Sequence, residues 1–488
     1  MSGINTPITR RRFLGGVAAL GGLVAVNALL TACGGGGGAA PAAQNTPAAA
    51  QPTQPAQQAQ PAAAPTSTPA QAAASQPTAQ AAPASAGQMK ISYWGSFSGD
   101  NGKAEQELAN RFNKSQNKIA LDYQFQGSYE QTAQKLSAAL AAKQAPDVSL
   151  LSDVWWQKFW LGKLLAPADA FMKEANVAPT DYVDSFINEG TRKGNVYWIP
   201  FARSTPLFYY NKEMFDKAGI DHAPETWDDL VNWGEKLVKR DGDKLSVAAY
   251  AHANDASYIA WVFQPVVWQY GGRYSDDQFN ITIDQQPAVD AGQFFGDLMW
   301  KYKIATSPKD IVVDFGNGLA ASMMASTASL ATIEKTSKFT VGTAFLPKKK
   351  QFGCCTGGAG MGLLSTSSQD KQAAGFQWIN FATGDDSTTY WSQTTGYMPV
   401  RKKAIQSDQM AAFYKQHPNF QTAVNQLEKT QPQDWARVGI PNGDQIIGKG
   451  LGRVVINKED SATVFKDVAA TLKKEGEPVL KQLKAIGM

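Results

Sequence analysis

Cysteine and histidine are both scarce in this 488-residue chain, which contains three of each. Cys354 and Cys355 are adjacent, and this spacing rarely allows a disulfide within one domain, so we do not expect a disulfide scaffold. The low cysteine count excludes a cysteine-rich metal site. His222, His252 and His417 are too scattered to predict a zinc site. The chain also lacks a Gly-x-Ser-x-Gly elbow. We therefore expect no metal, no cofactor and no catalytic residue.

Charged and aromatic residues are absent from residues 34–88, which consist almost entirely of Ala, Pro, Gln, Thr, Ser and Gly. Such a segment cannot bury enough apolar surface to offset its ordering entropy, so we predict a disordered, fairly extended linker. Residues 89–488 lack an uninterrupted apolar run of about 18 residues, which predicts no membrane span there. The net charge of +4, with mixed signs, gives no indication of a nucleic-acid partner.

The N-terminus combines three arginines (Arg10, Arg11, Arg12) with an apolar stretch over 13–30 and the sequence Leu-Thr-Ala-Cys ending at Cys33. This order is typical of an export signal, and the arginines before Phe-Leu resemble a twin-arginine signal. The ending resembles a bacterial lipobox, in which the cysteine thiol takes a diacylglycerol. We predict a signal over residues 1–33 and a protein anchored to the outer face of the cell membrane through Cys33. An uncleaved transmembrane anchor is the alternative, because the apolar stretch is long enough.

Strand and helix patterns alternate at the start of the folded part. Strands are predicted at 89–94, 119–125 and 147–151, with helices at 103–114 and 129–143 between them. This order predicts a parallel sheet covered on both faces, and the carboxyl ends of such strands are where ligands bind. We therefore expect the loops after Trp94, Phe125 and Leu151 to line a site. Further predictions are helices at 226–239 (with Thr226 as N-cap), 287–303, 316–323, 371–383, 413–430 and 463–486, strands at 196–199 and 207–210, a strand and turn at 324–330, and loops at 357–360 and 395–400.

Several stretches resemble one family. Arg203–Lys212, Pro224–Leu230 and Thr395–Val400 resemble family 1 extracellular solute-binding proteins of ABC importers. The similarity is greater to one branch of this family, whose members bind glycerol-3-phosphate and glycerophosphodiesters. The stretches that resemble this branch are Gly127–Gln131, Ala325–Leu330, Gly357–Gly360 and Asp434–Arg437. The resemblance implies a two-lobed α/β periplasmic-binding-protein fold, with a ligand cleft between the lobes and crossing hinge segments. The predicted lobes are 89–203 plus 318–380 and 204–317 plus 381–488.

The resemblance also implies residue roles. The glycerol part would contact Tyr129, Asp153 and Trp227, and the phosphate would be held by Ser204, Ser326, Gly358, Tyr397 and Arg437. Arginine suits the second role because its planar fork pairs with two phosphate oxygens at once. Trp261 would face a choline-like head group by cation–π attraction, with Trp155, Trp156, Trp160 and Trp268 as alternatives.

Structural roles without ligand contact are the alternative for these residues. Arg437 could form a surface salt bridge with Asp434 or Asp444, Asp153 could cap a helix, and the aromatic residues could be ordinary core. The leading hypothesis is a monomeric binding protein without catalysis that closes over its ligand and docks on the transmembrane subunits of an ABC permease. A binding protein for a neutral sugar or oligosaccharide is the alternative, and a secreted hydrolase with paired carboxylates is the third.

Overall fold

The structure is a computed structural model that describes residues 87–487. The predicted signal, Cys33 and all of the predicted linker before residue 87 lie outside the described residues. The strands are β1 Met89–Gly95, β2 Ile119–Phe125, β3 Val148–Ser152, β4 Leu165–Ala166, β5 Thr191–Arg192, β6 Asn195–Val196, β7 Ile199–Ser204, β8 Pro206–Asn211, β9 Lys239–Asp241, β10 Lys244–Val247, β11 Tyr250–Ala251, β12 Ala305–Thr306, β13 Ser322–Ser326, β14 Val341–Ala344 and β15 Gly357–Leu364.

Helices alternate with these strands and dominate the last third of the chain. They are α1 Gly99–Ser115, α2 Tyr129–Ala141, α3 Trp156–Leu161, α4 Asp169–Glu174, α5 Asp184–Ile187, α6 Lys212–Lys217, α7 Trp227–Leu237, α8 Ala256–Gln269, α9 Gln286–Trp300, α10 Ile311–Gly316, α11 Leu330–Thr336, α12 Gln369–Ala382, α13 Asp385–Thr395, α14 Lys402–Ile405, α15 Asp408–Gln416, α16 Pro418–Leu427, α17 Trp435–Val438, α18 Gly443–Val455 and α19 Ser461–Ala485. Short 3₁₀ turns occur at Pro179–Asp181, Asn188–Gly190 and Thr327–Ser329. Within residues 87–487, no helix has the length and apolarity that a membrane span requires.

The first sheet has the strand order β2-β1-β3-β15-β4, with β7 also paired to β15. β1 runs parallel to both β2 and β3, which confirms the parallel start of the sheet predicted from the alternating pattern. β15 arrives from far along the chain and runs antiparallel to β3, β4 and β7. α1 and α12 pack against these strands and bury Leu108, Phe112 and Trp378.

The second sheet has the order β12-β11-β13-β8-β14. β7 and β8 are consecutive in the chain, yet they belong to different sheets and are separated only by Thr205. Residues 345–356 return the chain from β14 in the second sheet to β15 in the first. The expected two-lobed α/β fold with crossing segments is confirmed, and these crossings lie where the two sheets meet.

Four secondary-structure predictions are wrong. Residues 196–199 are not one strand, because β6 ends at Val196 and β7 begins at Ile199. Residues 316–323 do not form a helix: α10 ends at Gly316, and β13 follows with all of its residues buried at the centre of the second sheet. The single helix predicted over 413–430 is two helices that meet at Pro418, because proline lacks the N–H that would continue α15. Residues 357–360 are not a loop but the start of β15.

The lobe boundaries also differ from the prediction. β13 and β14 were expected in the first lobe, but both pair with β8 and therefore belong to the second sheet. α13 was expected in the second lobe, but it packs against α1. These differences arise because strand pairing is decided by distant partners, which sequence spacing alone does not reveal.

Candidate functional site

A cavity of about 380 Å³ opens between the two sheets, near the ends of several strands. Of the nine residues predicted to contact ligand, eight line it, namely Tyr129, Asp153, Ser204, Trp261, Ser326, Gly358, Tyr397 and Arg437. The loops after β2 and β3 reach the cavity, as expected. The loop after β1 contributes no lining residue, although Phe97 from it packs edge-on against Tyr129 at 5.7 Å between ring centroids.

Trp227 does not line this cavity, and its predicted contact with the glycerol part is corrected here. It lies in the first turn of α7 with no solvent exposure, and its ring packs against Tyr250, Phe294 and Phe295. Its indole Nε1 donates to Gln269 Oε1 at 2.7 Å. The amphipathic face of α7 explains this position, because the first helical residue points into the core of the second lobe.

Arg437 sits on the short helix α17 and is 4% exposed. Its Nη2 donates to the carbonyl of Ser257 at 3.1 Å, and its Nη1 donates to Oε1 of Gln433. Its Nε is buried and has no partner among the described residues. The alternative salt bridge with Asp434 does not form, since that carboxylate accepts instead from Arg273 and Trp268. A buried guanidinium with an unused donor is suited to binding an anion.

Asp153 follows β3 and is 8% exposed. Its backbone N–H donates to the carbonyl of Gly358 at 3.0 Å, and its Oδ2 accepts from Nε2 of Gln433. It does not cap the next helix, because the N-cap position of α3 is Trp155. The helix-cap alternative is therefore excluded, and the carboxylate borders the cavity.

Gly358 has a backbone conformation that other residues rarely adopt. Its φ is +107°, and a Cβ at this position would lie 2.1 Å from the carbonyl oxygen of Ala202. Ser204 ends β7 directly beside it, paired with Gly357. Glycine is required here because β15 and β7 approach too closely for a side chain.

Ser326 ends β13 on the opposite side of the cavity. Its Oγ accepts from the N–H of Ala328 at 3.1 Å, so its hydroxyl hydrogen remains free to donate. Its own N–H donates to the hydroxyl of Tyr258 at 2.6 Å, which places Tyr258 beside the cavity as well.

Tyr129 and Tyr397 come from distant parts of the chain and meet with their hydroxyl oxygens 3.2 Å apart. Burial raises the pKa of both phenols, so both remain protonated donors at neutral pH. Tyr397 stacks on Trp391, with 5.6 Å between the ring centroids. This aromatic wall provides an apolar surface with two hydroxyls at its edge.

Of the tryptophans considered for a cationic head group, only Trp261 and Trp155 line the cavity. Trp261 is 5% exposed, and its Nε1 donates to the carbonyl of Thr356 at 3.0 Å. Trp155 is half-buried. Trp156 and Trp160 pack in the first lobe, and Trp268 donates to Asp434.

Sequence reasoning missed several lining residues, among them three acids. Glu130, Asp255 and Asp444 join Asp153 around the cavity, so four carboxylates accompany the single guanidinium. Asp255 caps α8 by accepting from the N–H of Tyr258 at 2.9 Å. The sequence signals for the starts of α8 and α18 could have located Asp255 and Asp444, because carboxylates favour helix N-termini. Across residues 87–487, no cluster of three or more His, Cys, Asp or Glu side chains is arranged to hold a metal ion.

A family model described as bacterial extracellular solute-binding protein matches residues 107–422. The chain belongs to this family. A solute-binding protein of this kind acts outside the cytoplasm, so the family also implies export. Membership agrees with a cavity placed between two sheets that are linked by short crossings.

Several named relatives of this solute-binding protein are glycerol-3-phosphate-binding proteins. The sn-glycerol-3-phosphate-binding periplasmic protein UgpB of Escherichia coli is 27% identical over 391 residues, or 76% of this chain and 86% of its own length. The UgpB of Yersinia pestis is 26% identical over 369 residues, covering 71% and 82%.

Solved structures of solute-binding proteins are also similar to this chain. The crystal structure of UgpB from Mycobacterium tuberculosis in complex with glycerophosphocholine is 35% identical, has a TM-score of 0.75 and covers 81% of this chain and 99% of that one. The maltose-bound MalE3 of T. maritima, at 22% identity, has a TM-score of 0.69 over 79% of this chain and 99% of that one, and shares the fold.

Proposed function

We propose that this chain is the substrate-binding subunit of an ABC importer and that it captures a glycerophosphodiester such as glycerophosphocholine, or glycerol-3-phosphate, by cleft closure. The observation that carries the proposal is Arg437, which is buried beside the cavity with an unpartnered Nε. Ser204, Ser326 and Gly358 border the same cavity and can add neutral donors to a phosphate. Tyr129 and Asp153 line the cavity too and would contact the glycerol part, and the names of the relatives support this ligand class.

Charge favours a diester with a cationic group over glycerol-3-phosphate. A phosphomonoester carries about −1.5 to −2 charges at neutral pH, whereas a diester carries one. Four carboxylates and one guanidinium around the cavity would repel a dianion more than a zwitterion. A quaternary ammonium would also be attracted to Trp155 or Trp261 and to the acids Glu130, Asp255 and Asp444. Glycerophosphocholine has this charge distribution.

The protein acts, in this proposal, as a monomer that performs no catalysis. Its partners are the ligand, the transmembrane subunits of the permease and the membrane, to which lipidated Cys33 anchors it. Mass spectrometry of the mature N-terminus should find a diacylglycerol-modified Cys33. An intact Met1 would contradict the anchor, and a Cys33→Ser chain recovered in the soluble fraction would support it.

A thermal-shift panel with glycerophosphocholine, glycerol-3-phosphate and maltotriose tests the ligand class. At a hundredfold excess over Kd, a ligand stabilises the folded state by about 2.7 kcal/mol. For about 400 residues this raises Tm by about 3 °C. Arg437→Ala should abolish the shift given by glycerophosphocholine, while Arg111→Ala, an exposed arginine on α1, should leave it unchanged.

The panel separates the competing functions. Stabilisation by maltotriose alone would overturn the phosphate assignment in favour of a neutral-sugar binder. Release of choline or glycerol from glycerophosphocholine by the purified protein would show that it is an enzyme instead.

A further inference from the structure

One glutamine connects Asp153 and Arg437, two of the charged residues that line the cavity. Gln433 is buried, its Nε2 donates to Asp153 Oδ2, and its Oε1 accepts from Arg437 Nη1. Asp153 follows β3 in the first sheet, whereas Gln433 and Arg437 follow α16, which packs on β14 of the second sheet. The chain of hydrogen bonds therefore passes from one lobe to the other through a single amide.

Gln433 approaches this pair from behind the ligand cavity. It does not line that cavity, but with Asp153 it lines a second cavity of about 410 Å³. Gln433 therefore lies in the wall between the two cavities. A ligand in the first cavity would meet Asp153 and Arg437 without displacing the amide.

The chemistry of the amide explains why a neutral side chain stands between two opposite charges. An amide donates through its NH₂ and accepts through its carbonyl, so Gln433 satisfies a carboxylate on one side and a guanidinium on the other. Without the amide, Asp153 and Arg437 would be neighbouring buried ions of opposite charge, and buried opposite charges pair strongly. Such a pair would occupy the guanidinium that a phosphate requires.

We propose that Gln433 is a positioning residue that keeps Asp153 and Arg437 apart, and so leaves the Arg437 guanidinium available to the phosphate of the ligand. This inference rests on the proposed function. The unpartnered Nε of Arg437 is the donor that this arrangement leaves unused.

The test measures Kd for glycerophosphocholine by calorimetry in the wild type, Gln433→Leu and Gln431→Leu. Gln431 is the matched control, because it lies two residues away with an exposed side chain. We expect Gln433→Leu to weaken binding at least tenfold while its Tm without ligand is kept or raised. We expect Gln431→Leu to bind like the wild type.

Asp153→Asn supplies a readout that a merely structural role would not change. If Asp153 captures Arg437 in Gln433→Leu, removing the negative charge frees the guanidinium, and the double variant should bind more tightly than Gln433→Leu alone. In the wild-type background, Asp153→Asn should only weaken binding, because it removes a ligand contact. Gln433→Asn, whose shorter amide cannot span both partners, gives the same comparison if Gln433→Leu does not fold.

The affinities of these variants test the positioning role of Gln433 separately from the proposed function. Unchanged binding in Gln433→Leu, or a double variant weaker than Gln433→Leu, overturns the positioning role while glycerophosphocholine binding by the wild type upholds the proposed function. A wild type that binds maltotriose and no phosphodiester overturns both.

Discussion

Gly358 shows how one residue can limit both the fold and the site. Because its φ is +107° and a Cβ would lie 2.1 Å from the Ala202 carbonyl oxygen, Gly358→Ala should separate β7 from β15. We expect a loss of at least about 2 kcal/mol in the free energy of unfolding and loss of ligand binding. Gly452→Ala is the control, since no heavy atom lies within 4 Å of the added methyl group on α18. It should be neutral or stabilise by up to about 1 kcal/mol. Urea unfolding measures both variants.

Glu105 is a buried carboxyl group near the aromatic wall of the cavity. Its Oε1 accepts from Tyr93 at 2.6 Å and its Oε2 from Tyr123 at 2.8 Å. Burial outweighs these hydrogen bonds and raises the pKa of Glu105 from 4.5 to about 7. A raised pKa means that folding favours the protonated form. The stability that this contributes is therefore full below about pH 4.5 and is lost as pH rises through 7.

Glu105→Gln should remove this pH dependence. We expect the unfolding free energy of the wild type, relative to the variant, to fall by about 3 kcal/mol between pH 4.5 and 8. Urea unfolding at intervals across this range measures the difference. Glu107→Gln, a half-buried position on the same helix, controls for the loss of a carboxyl group from α1. Parallel pH curves for the wild type and Glu105→Gln would contradict the prediction.

At the scale of elements, the start of α7 was predictable from local chemistry. Thr226 accepts from the N–H of Asp229 at 3.1 Å, and Asp229 accepts from the N–H of Thr226 at 2.8 Å, which together form a capping box. Thr226→Ala should therefore reduce stability by about 1 kcal/mol, whereas Thr226→Ser should preserve it. Thermal unfolding measures this change.

Ligand binding by Thr226→Ala checks the position of Trp227. Because α7 buries Trp227 away from the cavity, Kd for glycerophosphocholine should stay within about twofold of the wild type. A large loss of affinity would instead indicate that α7 contributes to the binding site.

At the scale of the whole molecule, two adjacent free cysteines lie where the chain crosses between the sheets. Cys354 and Cys355 are fully buried, and Cys354 Sγ is 2.7 Å from the hydroxyl of Thr205, the residue between β7 and β8. Gln426 also donates to Cys354 Sγ at 3.2 Å. Burial raises the pKa of Cys354 to about 12. Both thiols should therefore react only when this crossing region opens.

Thiol labelling in a Cys33→Ser chain should report that opening. If the opened state does not bind ligand, a hundredfold excess of glycerophosphocholine over Kd should slow labelling of Cys354 and Cys355 about a hundredfold. Arg437→Ala should show no such protection. Equal labelling rates with and without ligand in the Cys33→Ser chain would contradict a crossing region coupled to the ligand cavity.

The sequence alone determined the elements whose signals are local. The alternation over β1, α1 and β2, and the cap of α7, follow from residues within a few positions of one another. The resemblance to the family also located eight lining residues. The hydrophobic pattern was insufficient just before β13, where a helix was predicted over residues 316–323 although the strand begins at Ser322.

Only the tertiary structure decided what depends on distant partners. The assignment of β13 and β14 to the second sheet follows from pairing with β8, and the burial of Trp227 follows from the face that α7 turns to its neighbours. Gln433 was not identified from the sequence, because its partner Asp153 lies 280 residues away. Such contacts depend on how two sheets are placed around a shared cavity, and no local periodicity encodes that placement.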